Sequence, residues 1–183
     1  MRQTSPLLCC LALLGCQEEP AAPTCAPLTE AAPLIDNQAW ALASPAQDPF
    51  PDRPADATCD PAGYRLEGDI FEINTDACEY MTAVQTLRRD VQPCDTIQLV
   101  ISYFPLFAAA RAEAHVGLAF GSEVIWERRL PIPSPDDLII ARWRADRAWP
   151  AGTPVSFHLH NHGVNDWRLI DLSVVPEAAL EGE

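Results

Sequence analysis

All four histidines of the chain fall into two short stretches. His115 stands in Glu113-Ala-His-Val-Gly-Leu-Ala-Phe120, and His158, His160 and His162 stand in Phe157-His-Leu-His-Asn-His-Gly163. An HxH pair on a strand puts both imidazoles on one face, since successive side chains alternate. Val155, Phe157 and Leu159 then form an apolar core face, and His158 and His160 point away from it. In the first stretch Val116, Leu118 and Phe120 take the core, leaving His115 outward, with Glu113 in the same parity. His115, His158 and His160 are therefore candidate metal ligands, with Glu113 as a candidate oxygen ligand. Trp167, His160, His158 and Asn161 are the candidates for an exposed platform that takes a sugar or another small ligand. The third reading, and the leading one, is a patch covered by the tether or a long loop, its histidines in structural hydrogen bonds.

The outer-face assignment rests on a register. Pairing Phe157 with Ile170 and Val155 with Leu172, as a terminal hairpin, keeps both apolar sets together, with Ile170, Leu172 and Val174 facing the core. That hairpin sets His160 opposite Trp167 and His158 opposite Leu169.

Other chemistry is sparse. The 12 basic residues are all arginine, which excludes a Schiff-base lysine and a P-loop. A formal net charge of −14 repels phosphate backbones, so nucleic acid is not an expected partner. No serine lies in a GxSxG elbow. Asp136-Asp137 after Pro135 reads as a turn, and Trp126 and Trp143 read as core residues. No cofactor is implied, and a non-catalytic module is favoured over an enzyme. The alternative is a metal-binding protein or metal-dependent hydrolase built on the histidines.

The elements that would position these groups are short strands. Candidates are 64–66, 69–73, 79–87, 96–104, 113–120, 123–130, 137–145, 154–161 and 167–175, separated by turn residues. Gly121-Ser122 suits a two-residue hairpin loop with glycine first. Ala39 to Leu42 reads as a short edge strand or as a docking site for Trp40. No amphipathic helix is expected, and Phe107 to His115 begins as a loop after Pro105. Eight or nine short strands at roughly ten-residue spacing predict an all-β, antiparallel sandwich of jelly-roll type.

Residues 1–15 read as a signal peptide: Arg2, an apolar run from Pro6 to Leu14, then Gly15 and Cys16. That run is too short to span a bilayer. Leu13-Leu14-Gly15-Cys16 resembles a bacterial lipobox, which implies lipidation of Cys16 and attachment to the membrane. Gln17 resembles an outer-membrane sorting signal, giving an outer-membrane lipoprotein facing either the periplasm or the cell surface. Residues 16–58 read as a lipidated N-terminus, a Pro/Ala-rich tether and a loop. The sandwich follows over 59–176, and 177–183 form an acidic tail.

Of seven cysteines, Cys9 and Cys10 leave with the leader and Cys16 takes the lipid. Cys25, Cys59, Cys78 and Cys94 remain, an even number that reads as two disulfides in an exported protein. No CxxC pair supports zinc. Cys59–Cys78 is the favoured pair, which leaves Cys25–Cys94.

Asp76-Ala-Cys78-Glu-Tyr80, Glu113-Ala-His115-Val, Arg129-Leu-Pro-Ile-Pro133 and Phe157 to Gly163 make residues 59–175 similar to an uncharacterised family of secreted lipoproteins from high-GC Gram-negative bacteria. The strand layout also resembles jelly-roll domains of the galactose-binding type. The resemblance carries no activity with it; the residues themselves are read as a lipid-anchored envelope module, binding or structural, with carbohydrate or an envelope protein as candidate partners.

Overall fold

Residues 28–177 are described by a computed structural model. Their strands are β1 (Ala32–Pro33), β2 (Ala41–Leu42), β3 (Tyr64–Glu67), β4 (Ile70–Asn74), β5 (Tyr80–Thr86), β6 (Thr96–Tyr103), β7 (Ala112–Phe120), β8 (Glu123–Ile132), β9 (Asp137–Arg144), β10 (Pro154–Asn161) and β11 (Asp166–Val175). All pairings are antiparallel and they form two sheets. One runs β3-β4-β11-β6-β9 with β1 beside β11; the other runs β2-β5-β10-β7-β8. The expected all-β sandwich is what the chain forms. Cys16 and Cys25, with the whole leader, lie outside the described residues, as does the tail from 178 onward.

Alternation drives each strand into place. In β6, Ile97, Leu99, Ile101 and Tyr103 are buried, while Gln98, Val100 and Ser102 are less so. On the facing sheet Met81 and Ala83 of β5, Val116, Leu118 and Phe120 of β7, and Val155, Phe157 and Leu159 of β10 are buried. These side chains from both sheets make one core cluster, as two inner faces of a sandwich must. Trp126 and Trp143 are only partly buried and pack against its margin. Phe120 pairs with Glu123 and Gly121 has φ of 61°. A positive φ at the first loop position only is the type II′ geometry that a glycine-first hairpin permits.

The terminal hairpin is not formed. β10 pairs with β5 and β7, whereas β11 pairs with β1, β4 and β6 in the opposite sheet. The apolar faces of β10 and β11 do share one core, but across the gap between sheets. A binary pattern shows which face is buried and is silent on which neighbour carries the hydrogen bonds. The corner after β10 is built by Thr75, Asn161 and Asn165: Asn161 Nδ2 donates to Thr75 Oγ1 at 3.0 Å, and the Asn165 amide donates to the same oxygen at 3.0 Å. Gly163 in that corner has φ of 105°, a conformation suited to glycine.

A bulge between Leu169 and Asp171 also shifts the parity of β11. Trp167 and Leu169 therefore face the core together with Leu172 and Val174, and Ile170 is only half-buried. The expected core position of Ile170 is corrected accordingly.

The stretch expected to be tether and loop is, from Leu28 on, part of the domain. Leu34 and Phe50 are 0% and 3% exposed. β1 joins β11, β2 joins the edge of β5, and Trp40 packs on Phe71 and Phe157. Cys59 and Cys78 are disulfide-bonded, so the favoured pair is present. Cys94 is disulfide-bonded too.

Candidate functional site

The registers of β5, β10, β7 and β8 lay out two rows across the outer face of their sheet. Tyr80, His160, His115 and Arg129 make one row; Thr82, His158, Gly117 and Glu127 make the next. The three imidazoles that sequence alternation placed outward are thus brought together by the neighbouring positions of β7 and β10.

The segment from Asp48 to Arg53 lies over these rows. Phe50 stacks on His158, ring centroids 4.2 Å apart, and meets the edge of His115 at 5.9 Å. It fits because residue 117 is glycine: a Cβ there would stand 2.5 Å from Phe50 Cε1. Asp48 anchors the segment, accepting from Tyr80 Oη at 2.8 Å, Thr82 Oγ1 at 2.9 Å and Arg53 at 3.1 Å.

Asp52 enters the middle of the imidazoles. Its Oδ2 is 3.0 Å from His115 Nδ1 and 3.4 Å from His160 Nδ1; its Oδ1 is 3.6 Å from His158 Nε2. On its far side His115 Nε2 is 3.0 Å from Glu127, and His158 Nδ1 is 3.1 Å from Thr82 Oγ1. Burial pushes His158 down to about 3, against the attraction of Asp52. Burial pushes the Asp52 carboxyl the other way, but the hydrogen bond from His115, the charges of His158 and His115 and the hydrogen bond from His160 leave it below the usual carboxylate range. Burial first, then the Asp48 hydrogen bond, raises the Tyr80 phenol.

Several sequence-predicted site residues are placed otherwise than expected. His158 does face away from the sandwich core, yet it is fully covered. Trp167 is no exposed platform: it is 0% exposed, stacks near Tyr103 and donates from Nε1 to Asn161 Oδ1 at 3.3 Å. Asn161 is buried and spent on that corner, so neither can meet a ligand. Glu113 does not join the imidazoles; it pairs with Arg129 at 3.1 Å. His160 stays partly exposed and His162 is exposed.

His160 and His162 open onto a cleft of about 830 Å³ whose walls also include Asp52, Glu79, Glu113 and Arg129. Its back is the Ala108–Ala112 stretch, preceded by Phe107, which is 62% exposed. Asn165 fixes that aromatic's backbone, accepting from its amide at 2.7 Å and donating to its carbonyl at 3.2 Å. A second hollow, lined by Asp56, Asp76, Glu79 and Tyr80, continues beyond His160 and His162.

Asp48, Phe50, Asp52, Glu127 and Phe107 escaped the sequence reading. An aromatic flanked by prolines in Asp48-Pro-Phe-Pro-Asp52 was the available signal, since a lone Phe in an acidic, Pro-rich loop needs a docking surface.

No protein-family model matches the chain, and no curated protein matches it. Among solved structures it is similar to a family 11 carbohydrate-binding module from Clostridium thermocellum, in complex with a β-1,3-1,4-mixed-linked tetrasaccharide. That match has 14% identity and a TM-score of 0.45, covering 81% of this chain and 97% of the other. It is also similar to a family 29 carbohydrate-binding module complexed with cellulohexaose, at 12% identity and a TM-score of 0.37, covering 80% of this chain and 92% of the other.

Proposed function

We propose that this chain is a binding module of the cell envelope, lipid-anchored through Cys16, that takes a hydroxyl-rich ligand of the carbohydrate class in the cleft beside His160 and His162. The cleft itself carries this reading. Its carboxylates from Glu79, Glu113 and Asp52 can only accept hydrogen bonds, Arg129 can only donate, and the imidazoles of His160 and His162 can do either. Such a mixture suits neutral hydroxyls, which donate and accept at once. Phosphates and other anions are disfavoured by the clustered acids. Phe107, exposed and next in the chain to the Ala108–Ala112 wall, supplies the apolar surface for a pyranose face in this reading. The buried network of Thr82, His158 and Asp48 is sealed beneath Phe50, away from anything in the cleft, which favours binding over catalysis.

Glycan-array screening followed by calorimetry tests the reading. His162→Ala and Phe107→Ala are expected to weaken binding of a positive oligosaccharide about tenfold each, the loss of about 1.4 kcal/mol, with melting temperature unchanged. Absence of any glycan ligand, or affinity untouched by both changes, would refute it.

A further inference from the structure

Two buried acceptors face each other beneath Phe50. Thr82 has one hydroxyl proton, and it goes to the Asp48 carboxylate at 2.9 Å. The contact between Thr82 Oγ1 and His158 Nδ1 at 3.1 Å must then be donated by the imidazole, which leaves His158 Nε2 as a bare lone pair. That nitrogen points at Asp52 Oδ1, 3.6 Å away, and both atoms are buried without a hydrogen-bond partner among the described residues. Leaving two such groups unpaired out of water is costly.

His115 has the same layout, although its nitrogen toward Asp52 is hydrogen-bonded rather than unpaired, so a proton there leaves when an ion binds. Its Nε2 meets the Glu127 carboxylate at 3.0 Å, an acceptor that calls for a proton there. Its other nitrogen, Nδ1, is turned to Asp52 at 3.0 Å. Each imidazole thus has its far nitrogen held by an oxygen and its near nitrogen turned to one carboxylate, the outer-shell arrangement that orients histidines on a metal.

We infer that Asp52, His115 and His158 hold one divalent transition-metal ion of the zinc type, through a carboxylate oxygen, Nδ1 and Nε2 respectively. One ligand atom from each of the three residues lies within 4.8 Å of the others. Two ligand atoms on a tetrahedral zinc at ~2.0–2.1 Å stand about 3.4 Å apart, close to the 3.6 Å between His158 Nε2 and Asp52 Oδ1. Two imidazoles with one carboxylate suit zinc and its neighbours rather than calcium or magnesium, which take oxygen-only sets. His160 Nδ1 lies 3.4 Å from Asp52 Oδ2. Asp52 alone among these ligands comes from the covering segment, so the ion fastens that segment to the sheet.

Untagged full-length protein, stripped with chelator and titrated with Zn²⁺ alone, tests the site. One ion per chain by elemental analysis, with a melting temperature that climbs with Zn²⁺ concentration, is expected. Asp52→Asn, which alters only the covering segment, should abolish that climb. Glu127→Ala, a change at an exposed position, should weaken affinity about 10–100-fold, while His162→Ala leaves it intact. Substoichiometric zinc, or affinity unchanged in Asp52→Asn, would overturn the site. Glycan binding measured on the stripped protein separates this result from the fate of the cleft reading.

Discussion

An imidazole taken out of water sheds its proton, because burial penalises the charged form. His158 is held down to about 3 on that account, whereas a histidine in the unfolded chain protonates near ~6.5. As pH falls through that interval the unfolded state binds the proton and the folded state does not, so stability drops. Chelator-stripped protein should therefore lose stability steadily from about pH 6.5 toward pH 3. Denaturant titrations at stepped pH will show the slope, and His158→Gln should flatten it. A slope unchanged in that variant would mean that His158 is not the group responsible. Trp167 makes a second residue-scale case. Because it fills the core rather than a surface, Trp167→Ala should cost about 3–5 kcal/mol in chemical denaturation. A silent Trp167→Ala would contradict its burial.

Among the elements, the covering segment matters most to the site, and three devices hold it. Phe50 fills the space left by Gly117, Asp48 accepts from Tyr80, Thr82 and Arg53, and Cys59–Cys78 closes the chain just beyond. The disulfide joins residues 19 apart, and the loop-entropy estimate for that span is about 3 kcal/mol. The double change Cys59→Ser/Cys78→Ser should lower stability by about that amount. Hydrogen exchange should quicken over residues 48–58 before it does in β6 or β10. Uniform exchange across the domain would show that the bridge does not guard the segment in particular.

At the scale of the whole molecule, the chain's net charge of −14 keeps it off anionic surfaces unless something attaches it. The Leu13–Cys16 motif supplies the proposed attachment. Cys16→Ala should shift the protein from the detergent-extracted membrane fraction to the soluble one, or leave it as uncleaved precursor. Mature-length protein still found in membranes would sink the anchor. The fold has two sheets whose outer faces differ: one bears the imidazole rows under Phe50, while the other carries Glu72 paired with Arg168 and Arg65.

Alternating apolar residues by themselves determined the strands of this sandwich, because burial of one face imposes a period of two wherever it occurs. The outward direction of His115, His158 and His160 followed from the same period, and the pairing of Cys59 with Cys78 followed from their flanking one strand-turn-strand unit. Strand partners did not follow. β10 and β11 present the same pattern whether they share a ladder or face each other across the core, so only the tertiary structure could place them in opposite sheets. The bulge at Ile170 reversed the parity that had set Trp167 outside, and nothing in its local alternation distinguishes it from a regular strand. Asp52 reaches the imidazoles from more than sixty positions away along the chain, through a Pro-rich segment with no period at all. What joins them is the hole above Gly117 that Phe50 fills, a complementarity of shape that exists only once the sheet has formed.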